Sequence, residues 1–124
     1  MIREGQIVLL NFPQTDQVSG KLRPALVLRS LPNSYDDWLI CMITTHLHYE
    51  NTGIDDVIKK TDPDFSHTGL KLSSLIRVTR IAVVSTSIFE GVIGSIPHSR
   101  LLRIRLRICQ WISDENTYEA LYPV

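Results

Sequence analysis

Gly20-Lys21-Leu22-Arg23-Pro24-Ala25-Leu26-Val27-Leu28 decides how the rest of the chain is read. A polar, turn-rich approach from Gln14 to Gly20 runs into two basic residues and a proline, and a near-continuous apolar run follows at once. The pattern predicts a loop ending at Gly20 and a buried strand from Arg23 to Arg29. Pro24 suits the opening of a strand, where no ladder donor is required. It also holds Arg23 extended, because the residue before a proline is displaced from the α region. A guanidinium is thereby fixed where a loop meets a rigid sheet, a place suited to gripping a phosphate and equally to pairing with a carboxylate.

Upstream, Ile7 to Leu10 is a short apolar run that ends at Asn11-Phe12-Pro13 and predicts a first strand. Downstream, Leu31-Pro32-Asn33-Ser34 is a turn, and Trp38 to Thr44 predicts a third strand. Three strands at short spacing with no helix between them point to an antiparallel sheet or barrel rather than to βαβ units. His46 to Ser73 is polar and reads mainly as loop, with a short edge strand within Asp55 to Lys60. Leu75 to Val78 and Ile81 to Val84 are two strand-like segments, Ser85-Thr86-Ser87 breaks the pattern, and Gly91 to Ile96 is one more short strand. Pro97 can open a helix, since its missing donor is one the first turn does not use. The helix is expected over His98 to Ile112, with Leu101, Leu102, Ile104, Ile108, Cys109 and Ile112 forming a wide apolar arc.

The 124 residues suffice for one domain, expected over 1–124, and a 44% hydrophobic content excludes a disordered chain. Thirteen basic and thirteen acidic residues cancel. No global field then draws the chain to nucleic acid or membrane, and any nucleic-acid binding must come from a local patch. Cys41 and Cys109 lie in apolar segments and are expected as buried free thiols of a reducing compartment. No basic-then-apolar leader follows Met1 and no apolar run is of bilayer length, so the expectation is a soluble, cytoplasmic protein without membrane attachment.

Several residue groups carry candidate chemistry. Thr44 and Thr45 end an apolar strand with two hydroxyls able to meet a phosphate or a 2′-hydroxyl, although threonine also favours strands for packing reasons. His46 and His48 would point to one side of an extended chain, but no further ligand is placed to complete a metal site, and none is expected. Asp55-Asp56, Asp62 and Asp64 lie in polar sequence and read as solvated charge rather than as a magnesium site. Ser73-Ser74 is either a turn before a strand or a pair of ligand donors. Arg77 falls inside a strand beside apolar neighbours and needs a partner. Arg100, Arg103 and Arg107 share one helix face, read as a solvated face in preference to a nucleic-acid patch. No phosphate-binding glycine loop, zinc-finger spacing or nucleophile elbow is present, and no cofactor is expected.

Taken in order, Glu4-Gly5-Gln6-Ile7-Val8-Leu9-Leu10-Asn11-Phe12-Pro13, Lys21-Leu22-Arg23-Pro24-Ala25-Leu26-Val27-Leu28, Ile40-Cys41-Met42-Ile43-Thr44-Thr45, Leu72-Ser73-Ser74-Leu75-Ile76-Arg77-Val78, Ile93-Gly94-Ser95-Ile96 and a terminal helix resemble the PemK/MazF family of toxins from type II toxin–antitoxin pairs. The likeness spans nearly the whole chain, and its specific parts are the Arg-Pro start of the second strand and the Ile-Thr-Thr end of the third. It implies a mainly β fold, an SH3-like, partly open β-barrel with a C-terminal helix, assembled as a homodimer. It implies a metal-independent endoribonuclease that cuts single-stranded mRNA through the substrate's own 2′-hydroxyl, leaving a cyclic phosphate and a free 5′-hydroxyl. A cognate antitoxin is implied as partner, with operator DNA bound only together with it.

Residue by residue, the resemblance implies that Arg23 stabilises the pentacovalent phosphate and that Thr44 contacts it. Lys21, Gln17, Thr45, Ser74 and Arg77 follow as RNA contacts, Arg77 matching an arginine that one branch uses in catalysis. An always-charged arginine is a poor proton donor, so its role is first of all electrostatic. The loop Pro13 to Gly20 is expected to move and gate the RNA groove. The chain departs from that branch at Thr79, where an acid is usual, and at Gln17, where a loop histidine is usual, so no histidine or carboxylate stands at a familiar acid–base position. The same barrel also occurs in the CcdB toxin, which binds DNA gyrase without cleaving and relies on a Trp-Gly-Ile ending. Leu121-Tyr122-Pro123-Val124 differs from it. A decayed homologue that only binds an antitoxin is the remaining alternative.

Overall fold

A computed structural model of the chain describes residues 1–11, 21–33, 36–113 and 119–122. Gln17 and the loop expected to gate the groove lie outside the described residues. Six strands form one antiparallel sheet: β1 (Gln6–Leu10), β2 (Arg23–Ser30), β3 (Asp37–Thr44), β4 (Asp56–Ile58), β5 (Ser74–Ser85) and β6 (Gly91–Ser95). Their order across the sheet is β4-β5-β3-β2-β1-β6. The sheet curls into a half-barrel, and a helix, α1 (His98–Ile112), follows β6. This is the mainly β, partly open barrel with a C-terminal helix that the resemblance implies. Among the described residues no helix is long and apolar enough to cross a membrane.

The apolar runs lack clean alternation because both faces of the sheet are covered. Successive strand residues point to opposite faces. Ile7, Leu26, Cys41, Ile43, Ile76 and Val78 fall on one side and pack with Leu101, Ile104 and Ile108 of α1. Val8, Ala25, Val27, Ile40, Met42 and Val84 fall on the other, where Trp38 and Phe89 pack against them. The helical arc is narrower than expected: Leu102 is 48% exposed and Ile112 58%. Cys109 is exposed too, not buried, since it lies on the flank that turns away from the sheet.

The two segments Leu75 to Val78 and Ile81 to Val84 belong to a single long strand, β5. Opposite β3 its register jumps from Cys41↔Ile81 to Met42↔Arg77. Val78, Thr79 and Arg80 are thus accommodated as a bulge, which kinks a strand and re-aims its side chains. The break in the sequence pattern marks the bulge and not a strand end.

The acidic loop and the basic helix face meet each other, which corrects two expectations of solvated charge. Asp55 and Asp56 are each only 3% exposed. Arg100 is 9% exposed; its Nη1 donates to Asp56 Oδ2 at 2.6 Å, its Nε to Asp64 Oδ2 at 2.7 Å and its Nη2 to Asp62 Oδ2 at 3.3 Å. Arg103 Nη2 and Arg107 Nη1 donate to Asp56 Oδ1 at 2.9 and 3.2 Å. Asp55 accepts instead from the backbone N–H groups of Asn51 and Val78, at 2.8 and 2.9 Å. The ion pairs of the three arginines span 36 to 51 residues, so no local pattern reveals them. They tie the edge strand β4 and its flanking turns to the helix.

Candidate functional site

β2 and β3 run antiparallel with Ala25 opposite Met42. Continued by two residues, that register sets Arg23, the first residue of β2, opposite Thr44, the last of β3. Pro24 between them explains why the ladder ends there: it has no N–H to donate. The Arg-Pro start and the Ile-Thr-Thr end, distant in sequence, become one wall at the open end of the sheet.

Two clefts flank this wall. The larger, about 510 Å³, is lined by Lys21, Arg23, Thr44, Thr45, Ser74 and Lys71, with Leu9, Ile43 and Ile93 among its apolar residues. The second, about 420 Å³, is lined by Arg23, Met42, Thr44, His46, Tyr49, Arg77 and Arg80. Arg23, Thr44 and His46 belong to both. The structure therefore brings together Lys21, Arg23, Thr44, Thr45 and Ser74 in the first cleft, and places Arg77 beside Arg23 in the second.

Local structure sets how each group is offered. Thr44 is 7% exposed, and its Oγ1 accepts from the backbone N–H of His46 at 3.2 Å. Its hydroxyl proton is left to donate elsewhere. Ser74 Oγ donates to Leu72 O at 2.8 Å, while Ser73 Oγ accepts from Lys60 N at 2.9 Å. This serine pair thus builds the turn before β5, and Ser74 offers the cleft acceptor lone pairs only. Arg77 is half-buried and its guanidinium lies 4.8 Å from the centroid of the Tyr49 ring. Its Nε is buried and has no hydrogen-bond partner among the described residues. The partner that Arg77 required is thus a π face, which satisfies a cation without neutralising it. The β5 bulge explains how Arg77 and Arg80, three apart, reach the same cleft.

The floor of the larger cleft depends on a close crossing. Gly69 has φ +73, and a Cβ there would lie 2.1 Å from Ile93 O; a Cβ on Gly94 would lie 2.3 Å from the Thr68 carbonyl carbon. Only two glycines let this loop cross β6 at such distance. Thr68, fully buried, pins the loop by donating to Phe65 O at 2.7 Å and accepting from Leu70 N at 3.1 Å.

His46, Tyr49, Lys71 and Arg80 line the clefts although the sequence reading did not assign them to the site. For His46 and Tyr49 the available signal was adjacency to Thr44-Thr45. Arg80 needed the bulge, and Lys71 the glycine crossing. His46 and His48 do lie close, with ring centroids 5.6 Å apart, but among the described residues no set of three or more His, Cys, Asp or Glu side chains is placed to hold a metal ion. No carboxylate lines either cleft among the described residues. The local basic patch that a neutral chain needs is therefore present: Lys21, Arg23, Lys71, Arg77 and Arg80, gathered at one end of the sheet.

A model of a protein family described as PemK-like, MazF-like toxin of type II toxin-antitoxin system matches residues 3–112. No curated protein matches the chain.

Proposed function

The chain belongs to the PemK-like, MazF-like toxins of type II toxin–antitoxin systems, and on that premise we propose that it is a sequence-specific endoribonuclease that cuts single-stranded mRNA by attack of the substrate's own 2′-hydroxyl. The observation that carries this reading is the shared wall of the two clefts. Arg23 and Thr44 stand opposite one another with a cationic cleft on each side. A strand of RNA running from one cleft to the other places a phosphodiester on that wall. Phosphoryl transfer asks for positioning and for charge stabilisation, and a guanidinium with its fixed fork of donors supplies both. Arg23 clamps the scissile phosphate, and the Thr44 hydroxyl orients it. Lys21, Thr45, Ser74 and Arg77 contact the flanking nucleotides, with Gln17 joining from the loop before β2. The reading assigns charge stabilisation to Arg23 and asks nothing of a metal ion.

Membership implies a cognate antitoxin. We further read the toxin as a cytoplasmic homodimer, with operator DNA bound only in company with the antitoxin. Leu102, Leu106 and Ile112, all about half exposed on α1, are apolar surface of the kind an interface covers.

The test is cleavage of a long single-stranded RNA with EDTA present, wild type beside Arg23→Ala. Discrete fragments from wild type and a rate lower by about 10²–10³-fold or more in the variant are expected, as for loss of a preorganised charge-stabilising donor. A folded Arg23→Ala protein of full activity sinks the site assignment. Intact RNA with folded wild type moves the reading to a gyrase-binding or decayed toxin.

A further inference from the structure

Resting on the ribonuclease reading, we propose that His46 is the general base of the reaction, taking the proton from the attacking 2′-hydroxyl. Transfer from an internal hydroxyl sets two tasks. Negative charge grows on the phosphorane and on the departing 5′-oxygen, and N–H donors can meet it; Arg23, Arg77 and Arg80 supply them in the second cleft. The proton of the 2′-hydroxyl must go to a lone pair, and guanidinium and ammonium groups have none. That sets aside the arginines together with Lys21 and Lys71. Alkyl and phenolic hydroxyls, here Thr44, Thr45, Ser74 and Tyr49, are poor proton acceptors at neutral pH. With no carboxylate among the described lining residues, His46 is the remaining group among those described, and it alone of the histidines belongs to either lining.

Its placement suits the task. His46 lines both clefts, as Arg23 and Thr44 do. Its backbone N–H is held by Thr44 Oγ1 at 3.2 Å, so its main chain is anchored to the hydroxyl that orients the phosphate. Its ring meets the rings of His48 and Tyr49 edge-on, at centroid distances of 5.6 and 5.8 Å. Tyr49 in turn carries the guanidinium of Arg77. Among the described residues, the charged and titratable groups around His46 are thus Lys21 and Arg23 at the start of β2, Lys71 before β5, Arg77 and Arg80 from β5, and His48 and Tyr49 from its own turn. In the step itself, an imidazole nitrogen of neutral His46 takes the 2′-hydroxyl proton as the 2′-oxygen bonds to phosphorus. The bond from phosphorus to the 5′-oxygen breaks, its electron pair leaves with that oxygen, and a proton from water completes the 5′-hydroxyl. His46 then releases its proton to solvent, leaving a 2′,3′-cyclic phosphate.

The experiment compares wild type, His46→Gln and His48→Gln on an oligoribonucleotide carrying a mapped cut site, across about pH 5 to 8, the range in which histidine side chains change charge. A second substrate carries sulfur in place of the 5′-oxygen, which removes any need to protonate the leaving group. An all-2′-deoxy analogue measures binding alone. Expected are a decline toward acid pH in wild type and, for His46→Gln, disappearance of that decline, a loss of about 10²–10⁴-fold in kcat, unchanged affinity for the deoxy analogue and no rescue by sulfur. His48→Gln should cleave as wild type does. A wild-type rate or pH profile in His46→Gln overturns the proposal. So does full rescue by sulfur, which would make His46 the acid, and so does a loss confined to binding. Wild type that cuts no RNA overturns the ribonuclease reading and this one with it.

Discussion

Two groups of arginines divide the molecule. Three of the four on α1 (Arg100, Arg103 and Arg107) converge on Asp56, with Asp62 and Asp64 completing the set around Arg100. Those at the open end of the sheet (Arg23, Arg77 and Arg80) line a cleft that no carboxylate shares among the described residues, and Arg77 rests on an aromatic ring. The chemistry of the side chain is identical; the company differs. Opposite charges close by turn arginine into a fixed strut, because the pair satisfies itself within the fold. A π face, as at Arg77, leaves the positive field available to an anion from outside. In a chain of zero net charge, the function depends on where the carboxylates are placed more than on how many arginines there are.

The comparison breaks most visibly if the struts are removed. Arg100→Met leaves Asp56 and Asp64 without their principal partner, and loss of one member of a buried ion pair costs about 3–5 kcal/mol. Urea unfolding of the variant should show a loss of that size. Arg80→Met should leave the urea midpoint nearly unchanged, within about 0.5 kcal/mol as for other exposed sites. Instead it should weaken RNA binding uniformly across sequences and reduce the slope of log affinity against log salt by about 1. An Arg80→Met protein that unfolds readily, or an Arg100→Met protein that is stable and merely inactive, would erase the distinction.

The smallest effect sharpens it through pH. Hydrogen bonds from Arg100 hold the Asp64 carboxyl below the usual carboxylate range. A carboxyl depressed on folding contributes stability that is complete above its unfolded value, about pH 3.9 for aspartate, and is lost as pH falls through the lower folded value. Asp64→Asn should therefore flatten the acid side of a plot of stability against pH and leave the shape near neutrality alone. Chemical denaturation at several pH values checks this; an unaltered acid limb would show that Asp64 contributes nothing to the strut.

The sheet was legible because burial on both faces makes strands of unbroken apolar sequence, and Leu26-Val27 or Ile40-Cys41 each send one residue to either side. The helix was legible from Pro97 and its buried Leu101, Ile104 and Ile108. Arg23 and Thr44 could be singled out because proline and a strand end mark them locally. What stayed hidden is what only tertiary contact creates. Arg100 and Asp56 stand 44 residues apart, and each looks solvated in its own neighbourhood. The continuity of β5 was masked by a bulge that mimics a strand break. His46 was legible as a residue but not as part of the site, since its relation to Arg23 arises only when the two strand ends meet.

The contrast between the two thiols has a practical side. Cys41 lies at the centre of the sheet, where burial pushes its thiol up and out of reach of reagents. Cys109 stands on the outer flank of α1, exposed, near Leu106 and Ile112. The native protein therefore carries a single addressable handle without any engineering. A maleimide dye would attach there alone, and its rate of attachment and emission would report whether antitoxin binding reaches the helix surface.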